Sequence, residues 1–272
     1  MTDRKDSAPE EGARKDIAVV TGGASGIGLA TVEVLAGRGV EVIAVDRDGE
    51  RLADLEGRKG VHPLLGDVAA ASTWETVLAR SREELGAAPN LFVANAATVI
   101  VGSVLELDDD DWGAVIETNL MGAVRGVRAL LPGMVEAGGG SVVLMGSIDS
   151  FMAEQGLAAY CASKGAILQL SRVLALDHAR QGVRVNCVCP GVTDTPLFRY
   201  HLSKADNPEQ VLAARTGRNP QGRLLAPEDI ARTVAFLLSD EAGGITGALV
   251  PVDGGLSAGF EFRSGAEWGD MA

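Results

Sequence analysis

Thr21-Gly22-Gly23-Ala24-Ser25-Gly26-Ile27-Gly28 is the stretch whose reading decides the fold. It follows a short β-branched run, Ile17 to Val20, and opens an apolar-periodic segment from Ile27 to Leu35. Glycines placed between a strand and a helix let the chain turn tightly. They also let backbone N–H groups of Gly22, Ser25, Gly26, Ile27 and Gly28 approach a pyrophosphate at the helix N-terminus. No Lys follows the last glycine, which separates the stretch from the phosphate loop of NTPases. A ligand-free glycine connection is the alternative, and the position between strand and helix argues against it.

Outward from this turn, strand-like and helix-like runs alternate. Val40 to Val45, Val61 to Leu65, Leu91 to Ala94, Val142 to Met145, Val183 to Val188 and 248–252 read as further strands. Helical patterns fall at 48–57 and 71–86, two follow within 108–137, and others run from Leu157 to Arg180 and at 227–239. Such alternation predicts βαβ units, hence a single-domain Rossmann-type, doubly wound parallel sheet of about seven strands with helices on both faces. Apolar runs without alternation fit strands buried on both sides. The domain is expected over 16–257, with a flexible arm at 1–15, a loop-rich insert at about 191–226 and a tail at 258–272.

Asp46 ends the second run. An acid there can accept both ribose hydroxyls of NAD and repel the 2′-phosphate of NADP. Arg47, beside it, could grip that phosphate, but no base lies between Gly22 and Gly26 to help. NAD is therefore the expected cofactor, with a solvated strand-end charge as the bland alternative. Tyr160-Cys161-Ala162-Ser163-Lys164 opens the long helix and puts Tyr160 and Lys164 on one helical face. An ammonium beside a phenol favours the phenolate, so this Tyr could exchange a proton with an alcohol near neutral pH. Taken alone, the pair could equally be exposed side chains on a helix surface.

With these motifs in order, the sequence resembles the short-chain dehydrogenase/reductase family from Asp16 to Gly255. The resemblance is carried by Thr21–Gly28, Asp67-Val68, Asn95-Ala96-Ala97, Asn119, Ser147, Tyr160-x-x-x-Lys164 and Pro190-Gly191. It implies Tyr160 as acid/base and Ser147 as the donor that holds the substrate oxygen. It further implies that Lys164 lowers the Tyr160 pKa and binds the nicotinamide ribose, and that Asn119 supports a relay water. Asp67 and Val68 would meet the adenine, Asn95 would lie near its ribose, and Pro190, Val192 and Thr193 would cradle the nicotinamide amide. The family's usual Asn-Asn-Ala-Gly is here Ala94-Asn95-Ala96-Ala97. A non-catalytic dinucleotide sensor is the competing class, but it would be expected to lose one of Ser147, Tyr160 or Lys164.

Composition narrows the partners. The 272 residues are 46% hydrophobic and 22% charged, a globular balance. A formal charge of −13 argues against nucleic acid. No apolar run is long enough for a membrane span and no signal peptide is visible. Cys161, Cys187 and Cys189 lack disulfide or zinc spacing and read as reduced thiols in a cytoplasmic protein without a metal. Asp108–Asp111 reads as a helix N-terminus. His62 and His178 read as structural or surface groups, whereas His201 could touch substrate. Ile148, Phe151, Leu197 and Phe198 mixed with Asp149, Glu154, Gln155, Tyr200 and His201 suit a hydroxylated ring or polyol as the alcohol or ketone substrate. A steroid or cyclic ketone is the alternative. Ile167, Leu168, Leu170, Val173, Leu174 and Leu176 cover more than one stripe of the long helix, and together with the resemblance they predict a homotetramer. Phe260, Phe262 and Trp268 make the tail a candidate to reach a neighbour.

Overall fold

The computed structural model describes residues 15–259. The arm, apart from Lys15, and the aromatic tail lie outside the described residues. Within them the chain runs β1 (Ile17–Thr21), α1 (Gly26–Gly37), β2 (Glu41–Asp46), α2 (Gly49–Ala53), β3 (Val61–Leu65), α3 (Ala71–Leu85) and β4 (Leu91–Ala94). It continues through α4 (Asp109–Ile116), α5 (Gly122–Glu136), β5 (Gly140–Met145), α6 (Ala158–His178), β6 (Val183–Pro190), α7 (Pro196–Leu202), α8 (Pro208–Gly217), α9 (Pro227–Leu238) and β7 (Leu249–Val252). All adjacent strands pair in parallel, in the order β3-β2-β1-β4-β5-β6-β7. This is the doubly wound sheet expected from the alternation. Its strand order reverses between β1 and β4, where such sheets open a crevice at the carboxyl ends of the strands.

Strand residues are buried on both faces because each pleat side meets helices. Ile17 and Val19 pack with Trp74, Phe92, Leu130 and Ile167 in one core, on the side of α3, α5 and α6. Ala18 and Val20 pack with Val32, Leu35, Ile230 and Val234 in the other, on the side of α1 and α9. The Trp74 and Phe92 rings meet edge to face at 5.8 Å, a favourable aromatic geometry. His62 on β3 pairs with Glu41 on β2 at 2.7 Å, the structural role expected of it.

Two regions gain detail over the sequence expectation. The insert carries two short helices, α7 and α8, between its loops. Each starts on a polar cap followed by a proline: Thr195 Oγ1 accepts from the Phe198 N–H, and Asn207 Oδ1 from the Gln210 N–H. Such pairs favour helix starts because the cap satisfies a free N–H and proline needs none. The 108–137 region is almost continuous helix, but Glu117–Met121 forms a π turn between α4 and α5. The acidic run starts α4 as expected, through a reciprocal capping pair of Asp108 and Asp111.

Candidate active site

The carboxyl ends of β1, β2, β3 and β4 shape one cleft. The glycine turn leaves β1 with Gly22 at φ +65, where a Cβ would press within 2.9 Å of Asn95 Nδ2. A Cβ on Gly28 would overlap the Gly22 carbonyl oxygen, so α1 can begin only if this position is bare. Asn95, just beyond β4, locks the turn: its Nδ2 donates to the carbonyls of Thr21 (2.9 Å) and Gly22 (3.3 Å). Thr21 Oγ1 accepts in return from the N–H groups of Asn95 and Ala96, both at 3.0 Å. Asp46 Oδ2 accepts from the Ala24 N–H at 3.0 Å and Oδ1 from the Asp48 N–H at 3.1 Å. Asp46 thus fixes the turn as well as facing the cleft. The cleft is lined by Gly22, Ser25, Asp46, Asp67 and Val68, with Ala96 and Thr98 opposite. Arg47 and Arg51 line it too, and Arg51 is drawn 3.2 Å from Asp48. A bare backbone cradle at a helix start, with a fixed acid at its edge, fits a dinucleotide.

A second cavity adjoins the first, sharing Ala97, Val99 and Leu197 with it. Ile27, Asn95, Ser147, Tyr160, Lys164, Pro190, Val192 and Thr193 line it, so the structure brings these expected residues together. Ser147 follows β5 and begins a 3₁₀ turn over Ile148–Ser150, its own N–H donating to Ser150 Oγ at 3.1 Å. Its hydroxyl is 3.0 Å from Asp149 Oδ2 and accepts the Asp149 N–H at 3.1 Å. Tyr160 and Lys164 lie one turn apart on α6, with Nζ 5.6 Å from the ring centre.

The expected lowering of the Tyr160 pKa by Lys164 is not what this arrangement gives. Burial first, and then the Asp149 carboxylate, push the phenol up, with Ser147 acting in the opposite sense. Lys164 is itself buried, which brings it down to about 8, and its Nζ donates to the Met145 carbonyl at 2.7 Å. The ammonium thus donates to the end of β5 while standing over the Tyr160 ring. Asn119 lies in the π turn, 3% exposed. Both amide N–H groups are spent, on the Thr98 carbonyl and on Ser163 Oγ, each at 3.0 Å, and its oxygen accepts the Thr98 N–H at 2.7 Å. The amide therefore ties the segment after β4 to α6.

The far wall of the cavity carries charge. Glu154 and Arg215 form a two-pronged ion pair, with one prong at 2.9 Å between Nη1 and Oε2. His201 Nε2 stands 3.8 Å from Glu154 Oε1, and burial holds the ring below the usual histidine range. Arg215 was not singled out from the sequence. The signal for it was present: the Asn207-Pro208 start fixes α8, and α8 carries Arg215 into the cavity wall. Cys161 Sγ faces the Glu154 carbonyl instead of the cavity. Cys187 and Cys189 are buried free thiols on β6, Sγ atoms 3.7 Å apart. Among the described residues no helix is long and apolar enough to cross a membrane.

Comparison with known proteins gives this geometry a context. A family model described as enoyl-(acyl carrier protein) reductase matches residues 22–257. The chain is 36% identical over 250 residues to 2-(S)-hydroxypropyl-CoM dehydrogenase 3 of Xanthobacter autotrophicus, covering 90% of this chain and 98% of the relative. It is 34% identical over 249 residues to 2,5-dichloro-2,5-cyclohexadiene-1,4-diol dehydrogenase LinX of Sphingobium indicum, covering 89% and 96%. The crystal structure of levodione reductase superposes with a TM-score of 0.86 at 29% identity, covering 91% of this chain and all of that one.

Proposed function

The chain belongs to the short-chain dehydrogenase/reductase family, and from that premise we propose that it moves a hydride between NAD and a secondary alcohol or ketone. One observation carries the reading: Ser147, Tyr160 and Lys164 line a cavity that adjoins the cleft under the glycine turn. A dinucleotide held by the cleft and reaching into that cavity would supply or accept the hydride. Tyr160 gives a proton to the carbonyl oxygen in reduction and takes it from the alcohol in oxidation. Ser147 holds that oxygen beside the phenol. Lys164, steadied by the Met145 carbonyl, binds the nicotinamide ribose, and Pro190, Val192 and Thr193 flank the amide. Asp67 and Val68 bound the adenine end. Asp46 supports NAD over NADP, because a fixed carboxylate at the end of β2 welcomes a ribose diol and repels a 2′-phosphate.

The substrate proposed is a hydroxylated ring or polyol. Asp149, Glu154, His201 and Arg215 supply polar partners on one wall and Leu157, Leu197 and Phe198 an apolar one. The relative named for a cyclohexadienediol supports the same class. Residues 16–257 would act as one unit, as a homotetramer in the cytoplasm, a location that the free thiols favour. A panel of ring alcohols, polyols and their ketones, followed by reduced-nicotinamide absorbance with NAD and NADP in parallel, tests the whole reading. Turnover of a ring alcohol or polyol with NAD is expected. Absence of turnover across the panel, or turnover with NADP alone, would overturn it.

A further inference from the structure

The inference rests on the reading of Ser147 and Tyr160 just given and concerns the residue two places on. Asp149 is 9% exposed and touches the pocket from the 3₁₀ turn that follows Ser147. Its N–H donates to Ser147 Oγ at 3.1 Å and its Oδ2 lies 3.0 Å from the same oxygen. An ionised carboxylate carries no proton, so the contact at Oδ2 must use the single proton of the Ser147 hydroxyl. With Asp149 ionised, Ser147 has a lone pair to offer a substrate but no proton. With Asp149 protonated, the carboxyl can donate to Oγ, and the serine proton is released toward the cavity.

We propose that Asp149 is a positioning residue, acting through Ser147, that sets whether the serine hydroxyl can donate to a substrate carbonyl oxygen. In reduction the carbonyl carbon receives the hydride and its oxygen receives the Tyr160 proton. The protons on Ser147 and Asp149 are only hydrogen-bonded and never leave their oxygens. Asp149 therefore adds a preference, not a reagent. A free Ser147 proton grips the carbonyl for reduction, and a proton held by Asp149 leaves that grip to Tyr160 alone.

The surroundings favour the protonated carboxyl. Burial and the neighbouring Glu154 charge raise it from the ordinary aspartate value, against the pull of Ser147, Arg215 and Lys164. The groups that face it are Ser147 and Glu154 from the segment between β5 and α6, Tyr160, Cys161 and Lys164 from α6, His201 from α7 and Arg215 from α8. Arg215 is spent on Glu154 by two hydrogen bonds, and among the described residues no counter-ion forms a salt bridge with Asp149.

The test compares the pH dependence of kcat/KM for ketone reduction in the wild type and in Asp149→Ala, which removes the acceptor and leaves the serine proton free. The ratio of variant to wild type is expected to rise about tenfold from the acid limit of stability to pH 9, the worth of one hydrogen bond to a developing charge. Asp149's negative charge also raises the Tyr160 pKa, and its removal would make the phenol a better proton donor by charge alone, so the ratio is measured again in a Ser147→Ala background, where an action through the serine proton vanishes and a rise that persists overturns the proposal. A flat or falling ratio overturns the proposal. Cofactor affinity by fluorescence confirms that the variant is folded, and Asp149→Leu, which fills the volume and brings no acceptor, replaces it if it is not. Tyr160→Phe is assayed beside them. If it keeps its turnover, the reading of the site falls; if it is inactive while the ratio stays flat, only the role of Asp149 falls.

Discussion

Lys164→Met should make the cofactor-free protein more stable at neutral pH while abolishing turnover. Lys164 is 3% exposed, and burial brings its ammonium from the ordinary 10.5 to about 8. At ~1.4 kcal/mol per pH unit, holding that charge inside the fold costs roughly 3 kcal/mol below pH 8. The sign follows from proton binding. Between about 8 and 10.5 the unfolded chain keeps the lysine proton and the folded one has lost it, so wild-type stability rises with pH across that window. Methionine carries no charge and has no such dependence. It also removes the donor from the Met145 carbonyl, which costs ~1 kcal/mol or more at every pH. Urea melts of both proteins at pH 7 and pH 10 separate the two effects, because the carbonyl loss cancels between them. The stability of the variant relative to wild type should be about 2–3 kcal/mol more favourable at pH 7 than at pH 10. An equal difference at the two pH values would refute the claim that the site stores a strained charge.

Tyr160→Phe keeps the ring and removes the proton, so kcat should fall by roughly 10²–10⁴-fold, with cofactor affinity by fluorescence titration little changed; near-full turnover would sink the mechanism. NAD should exceed NADP at least ~tenfold in kcat/KM, a gap of about 1.4 kcal/mol. Asp46→Ala should narrow that gap and also lower the melting temperature, because the carboxylate holds the Ala24 and Asp48 N–H groups; an unchanged NAD preference would remove Asp46 as its source. On α6, Val173 and Leu176 are 53% and 82% exposed while Ile167 and Leu168 are buried, so a second apolar stripe is left uncovered. Light scattering should find a tetramer, and Leu176→Glu should shift it toward smaller species; a fully active wild-type monomer would refute the interface.

The sheet was legible because its signals are local. Two-face burial writes short apolar runs, and the glycine turn announces both the first crossover and the cleft beside it. Tyr160 and Lys164 were legible as a pair from their helical spacing, but Ser147 only through resemblance, since it reaches α6 by the tertiary pairing of β5 with β4 and β6. What escaped depends on side-chain competition in three dimensions. Nothing in the spacing of Tyr160 and Lys164 tells that the ammonium is drawn to the Met145 carbonyl. Nor does the sequence tell that Asn119 spends its amide on Thr98 and Ser163. The two helices of the insert are a different matter: Thr195-Pro196 and Asn207-Pro208 were visible start signals, outweighed by weak apolar periodicity on helices that bury no residue.

That last feature separates the two ends of the site. The reacting end is fixed by backbone: Asn95 to Thr21 and Gly22, Lys164 to Met145, Asn119 to Thr98. Each of these bonds ties a side chain to the carboxyl end of a strand or to the segment just beyond it, so a shift of the site would require a shift of the sheet. The recognising end is built on α7 and α8, neither of which contributes a buried residue. Substitutions there can reshape the cavity wall without opening either core, whereas the catalytic set tolerates no such freedom. Of the charged wall, only the Glu154–Arg215 pair bridges from the α6 side to α8. Its charges act on Asp149, which is hydrogen-bonded to Ser147, so a substitution in the pair would be felt at the reacting end.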